Sequence, residues 1–126
     1  MIRFAFLLLL ITTSSSAHQM SPAYPKLGLT HIAGVKKVEM QIFNSREDVE
    51  FYEIGVFNVD WKPIDFVSLY RIIKIDYLST VKFDVYLTDA DALNAEYLCS
   101  RSKLRSDKNN QAMLATRICS RFKWSI

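Results

Sequence analysis

Alternation of apolar and polar residues dominates the middle of the chain. Val38, Met40 and Ile42 alternate with Glu39 and Gln41, the period of two that a strand with one buried face requires. The pattern stops at the turn-forming run Asn44, Ser45, Arg46, Glu47, Asp48. A second strand is expected over 49–59, with Tyr52, Ile54 and Val56 on one face. Its other face, Phe51, Phe57 and Val59, is too apolar for a solvated surface, which predicts cover from both sides or a bulge at Gly55. Pro63 has no backbone donor, so 61–65 is expected at an edge or a turn between sheets. Residues 66–70 lead straight into a strand in which Ile73, Ile75 and Tyr77 alternate with Ile72, Lys74 and Asp76. After a short connection at 78–80 comes the clearest strand, with Val81, Phe83, Val85 and Leu87 facing in and Lys82, Asp84 and Tyr86 facing out. The Asp- and Ala-rich run 88–94 predicts one helical turn or a sheet-crossing loop. Before all of these, 18–34 holds Pro22, Pro25, Gly28 and Gly34 with little alternation, the mark of an irregular edge segment.

The last thirty residues read as a hairpin with arms at 95–101 and 112–124. Leu114, Ile118, Phe122 and Trp124 share one parity of the second arm, and Arg117, Arg121 and Lys123 the other. One face packs and the other is basic. Pairing Cys99 with Cys119 centres the turn on Asn109 and Asn110, so register, turn chemistry and cysteine placement agree. The whole pattern gives about seven short strands and no sustained 3.6-residue repeat, which predicts an all-β, immunoglobulin-like antiparallel β-sandwich, with a small barrel as the rival.

Length and composition fit that reading. At 126 residues, half of them hydrophobic, the chain can build one core, and nothing marks a second domain. Residues 1–17 have the layout of a secretory signal: Arg3, then the apolar run 4–11, then Ser15, Ser16 and Ala17 ahead of a cleavage site before His18. That run is far short of the roughly 20 residues a spanning helix needs, so no membrane span is expected after removal. The expected domain is therefore 18–126, placed in the periplasm or outside the cell. There, two cysteines facing each other on paired strands are expected to be bonded as a structural disulfide, Cys99 to Cys119.

The formal charge of +3 is unevenly spread. From Arg101 onward Arg101, Lys103, Arg105, Lys108, Arg117, Arg121 and Lys123 face Asp107 alone, whereas 39–60 is mostly acidic. The split steers an acidic partner or lets two parts of one surface attract each other. Nucleic acid is not an expected partner, because export argues against it. An enzyme is the least supported class: Asp89 and Asp91 suit a turn better than an acid–base pair, and only His18 and His31 lie beyond the leader. No catalytic residue, metal site or cofactor is expected.

One resemblance extends the reading. The runs VKKVEMQIFNS, FYEIGVFNVDWKPIDF and YRIIKIDYLSTVKFDVYL, closed by YLCSRSK and ATRICSRFKW, resemble the amino-terminal domain of periplasmic pilus (fimbrial) chaperones. The likeness covers about residues 21–124 and lies in strand order and character. It implies an immunoglobulin-like fold and capture of an extended segment of an exported subunit by strand addition along the last strand. On that reading Leu114, Ile118 and Phe122 supply the apolar stripe, and Arg117 and Arg121 are the positions for the last-strand member of a carboxylate-anchoring basic pair. The first-strand member has no match, since Lys26 is the only basic residue between the leader and Lys36. Those chaperones join two such domains. The alternative is a stand-alone secreted structural or adhesive accessory protein of a surface assembly, with its strand edge covered.

Overall fold

The alternation at Val38, Met40 and Ile42 forms a nine-residue strand, β3 (Val35–Phe43), in the computed structural model, which describes residues 18–103 and 115–123. It pairs along its full length with β7 (Thr80–Thr88), placing Val38 opposite Val85 and Ile42 opposite Val81. On its other side lie β1 (Gln19–Ser21) and β2 (Gly28–Leu29), completing the first sheet. The second sheet is built on β4 (Phe51–Phe57), which pairs with β8 (Tyr97–Ser102) on one side and with β5 (Pro63–Ile64) and β6 (Ile72–Lys74) on the other. Outside β8 lies β9 (Arg117–Arg121). The architecture is an antiparallel β-sandwich, and its division into β1–β3–β7 and β4–β8–β9 has the immunoglobulin-like arrangement. Among the described residues nine strands appear where about seven are expected, because β2 and β5 are two-residue edge pairings that leave no periodic trace.

One core lies between the sheets. Val38, Met40, Ile42, Val85 and Leu87 meet Tyr52, Ile54, Val56 and Leu98 in a single buried cluster that also takes in Phe122. Both inner faces come from strict alternation, so a one-residue slip in either sheet would bring its polar set inward. The stretch at 88–94 is one short helix, α1 (Asp89–Asn94), started by Thr88, whose hydroxyl accepts from the Asp91 backbone N–H. Asp89 and Asp91 therefore sit in its first turn, with Lys36 within 3.5 Å of Asp89.

Three expectations are corrected. Gly55 carries no bulge: its register against Cys99 is continuous with its neighbours'. The Phe57 ring folds over it, so close that an added Cβ would lie 2.9 Å from ring carbons, which explains why the outer face of β4 looked too apolar. Val59 lies in the β4–β5 turn and is exposed, held off the sheet by Asn58, whose side-chain oxygen accepts from the Asp60 and Lys62 N–H groups. Residues 66–70 do not run straight into a strand but cross to the first sheet, where Val67 and Tyr86 exchange both backbone bonds.

Asn44 is more than a turn residue. Fully buried, its amide donates to the carbonyls of Val49 and Ile75, and its oxygen accepts from the Arg46 N–H and the Tyr52 hydroxyl. The end of β3 is thereby fixed to both flanks of the second sheet. Beside it, Arg46 grips Asp48 with two N–H donors at 2.9 and 2.6 Å, holding that carboxyl below its ordinary range.

The amino-terminal segment is tied to the far end of the chain. His18 is buried, with Nε2 2.8 Å from the Ser100 hydroxyl, Nδ1 3.2 Å from the Thr116 hydroxyl and its ring against Tyr52. Burial, reinforced by the charge of Arg46, lowers its pKa to about 4. Neutral histidine is thus the folded form. Below its unfolded value of 6.5 the unfolded chain takes a proton that the folded chain refuses, so stability falls with pH down to about 4. We expect that loss to be on the order of 2 kcal/mol, read from denaturant midpoints between those pH values. His18→Gln should flatten the profile; an unchanged slope would remove His18 as its source.

Candidate functional site

Strand parity sets out the last hairpin residue by residue. Cys99 pairs with Cys119 and the two are bonded, with Cα atoms 4.0 Å apart as in a close antiparallel pair. Unlike the inter-sheet bond of antibody domains, this one joins neighbouring strands and lies on the outer face. Phe122 is in the core and Ile118 packs against it, so both point inward. Arg117 and Arg121 point outward and are exposed. Leu114 lies outside the described residues, as do the turn at Asn109 and Asn110 and residues 1–17.

The two outward arginines are not brought together. Arg121 donates from Nε to the Glu96 carboxylate at 2.7 Å, which raises its pKa. Arg117 leans the other way, its guanidinium 4.9 Å from the Phe57 ring centre and 4.7 Å from that of Trp61. Trp61 in turn stacks on Tyr97, centres 4.1 Å apart and planes within 2°. Aromatic faces attract a guanidinium through their quadrupole, so these rings hold Arg117 above the outer face of the sheet.

Next to this stack opens a cleft of about 370 Å³. It lies beside the middle of β4, where β5 has ended and β6 has not begun, and Phe57, Phe66, Arg71, Arg101 and Arg117 line it. Arg71 is placed as Arg117 is, its guanidinium 4.8 Å from the centre of the Phe66 ring. Arg101 is neutralised: it and Lys103 converge on the Glu53 carboxylate at 3.2 and 2.6 Å, which keeps Glu53 below its ordinary pKa. Sequence reading missed Phe57, Trp61, Arg71 and Tyr97 as a group. The available signal was Gly55 inside an aromatic-rich strand followed by Trp61 in a polar turn.

The edge of β9 is the other element at issue. After β1 the chain passes through the cis Ser21–Pro22 bond and leaves the first sheet. Ala23 then accepts from the Arg121 N–H and Pro25 from the Lys123 N–H, each at 3.0 Å. The segment predicted as an irregular edge thus runs in the same direction as β9 beside its last residue and the two that follow. By alternation, the outward backbone groups of Arg117 and Cys119 belong to the same edge.

Among the described residues no group of three or more His, Cys, Asp and Glu could hold a metal ion, and no helix is long and apolar enough to cross a membrane. The His18–Ser100 contact has the atoms of a nucleophile and base, but both side chains lie inside the sandwich.

No family model matches the chain and no curated protein matches it. Among solved structures it is similar to a FixG-related protein from Vibrio parahaemolyticus, at 17% identity over 83% of this chain and 94% of that one, with a TM-score of 0.47.

Proposed function

We propose that this chain is an exported, non-catalytic recognition module, a stand-alone accessory protein of a surface assembly, which meets its partner with the outer face of the β4–β8–β9 sheet. The observation that carries this reading is the occupied edge: the carbonyls of Ala23 and Pro25 take the N–H groups of Arg121 and Lys123 that an added strand would need. The aromatic and basic character of the outer face supports it further, since arginine and large aromatic side chains are the residues most enriched where partners dock.

Capture of an extended subunit segment along β9, as the resemblance to pilus chaperones implies, is the second reading. The outward backbone groups of Arg117 and Cys119 favour it, limited to that half of the strand. Amide exchange separates the two. In the free protein the Arg121 and Lys123 amides should already be protected, and a saturating extended peptide from an exported fibre subunit should leave exchange over 117–123 unchanged. New protection at Cys119 would instead establish strand addition, as would loss of the contacts to Ala23 and Pro25.

A further inference from the structure

We infer that the cleft between Arg71 and Arg117 is a binding site for a carboxylate carried on an aromatic or apolar body. This rests on the reading of the β4–β8–β9 outer face as the recognition surface and gives that face a ligand class.

The two arginines share one arrangement. Each lies over a phenylalanine ring that lines the same cleft, Arg71 over Phe66 and Arg117 over Phe57. Neither forms an ion pair with a carboxylate among the described residues, whereas Arg46, Arg101 and Arg121 each do. A guanidinium centred over a ring still has N–H donors to offer in the fork that a carboxylate accepts. Arg71 spends one donor weakly on the Phe66 carbonyl at 3.4 Å, and Arg117 directs Nε to the Cys119 sulfur at 3.5 Å. Among the described residues the rest of each fork has no hydrogen-bond partner.

The cleft itself favours an anion with an apolar body. Three guanidiniums line it against the carboxylates of Glu53 and Asp65, and Glu53 is taken up by Arg101 and Lys103. The Phe57 ring lies over Gly55 on one side of the cleft, and Phe66 lines it as well. At about 370 Å³ it suits one side chain or one small acid. Because the rings already order both guanidiniums, binding forgoes little side-chain freedom.

The probes are 3-phenylpropionate and its uncharged analogue 3-phenylpropanamide, titrated into the oxidised protein and followed by the amide shifts of Gly55, Arg71 and Arg117. The acid should bind at least about tenfold more tightly than the amide. Arg71→Gln and Arg117→Gln should each weaken the acid about tenfold and leave the amide unchanged. Arg121→Gln, outside the cleft, should change neither. Equal binding of acid and amide overturns the inference, as does indifference to the two cleft variants or an equal effect of Arg121→Gln. A blocked tetrapeptide, Ala-Glu-Phe-Ala, identifies the source: tighter binding than the free acid marks a protein segment, weaker binding a small metabolite, and either ranking supports the site. Failure here with a closed β9 edge in the exchange experiment would remove the ligand class and leave the recognition face standing.

Discussion

Replacing Asn44 with alanine is expected to lower the unfolding free energy by about 4 kcal/mol, since each stranded buried polar group costs about 1–3 kcal/mol. The substitution leaves the Val49 and Ile75 carbonyls without their side-chain donor, and the Arg46 N–H and Tyr52 hydroxyl without their acceptor. Tyr52 is itself fully buried, and burial already pushes its pKa up to about 12, so stranding its hydroxyl is costly. The backbone bonds of Asn44 with Ser79 and Leu78 survive, which should keep the sandwich topology while loosening the join between the sheets. Urea denaturation gives the number. Asn44→Asp should be at least as damaging, because it turns a carboxylate toward two carbonyls. A loss under about 1 kcal/mol for alanine would show that water replaces the amide and that Asn44 does not hold the sheets in register.

Removing the disulfide is the second large effect. Cys99 and Cys119 are 20 residues apart, and in the chain-entropy model closing such a loop is worth about 3 kcal/mol. Cys119→Ser should therefore unfold at a clearly lower denaturant concentration than the oxidised protein and match the wild type in reductant. The bond lies on the outer face, Cys99 covered and Cys119 exposed, so the loss comes from the unfolded ensemble and leaves no cavity in the core. Identical oxidised midpoints would mean that the hairpin needs no cross-link.

Much of this fold is legible in the sequence because alternation reports burial directly. Val38, Met40 and Ile42, and Phe83, Val85 and Leu87, face inward as their spacing requires. The cysteines fix the register of β8 and β9, and Thr88 with the aspartates after it marks the helix start. What escapes depends on partners distant in the chain. Ala23 and Pro25 reach β9 only because the chain changes sheets after Ser21, and nothing in their own composition names Arg121 or Lys123 as partners. Asn44 has the composition of a turn residue, and its hub role exists only once Val49, Tyr52 and Ile75 close around it. The candidate site is harder still to read, since Phe57, Trp61 and Arg117 look like an apolar excess, a turn residue and a basic face until the second sheet aligns them.

The tie between the amino-terminal segment and β9 also sets an order of assembly. His18 and Thr116 touch across 98 positions of sequence, so the part of the domain made first must wait for nearly the last. Until then the segment at 23–25 lacks its mates on the outer edge of β9, and a domain with such distant pairings is slow to close and exposed to association with other chains. Closure of that seam therefore comes late, because it needs both ends of the domain at once.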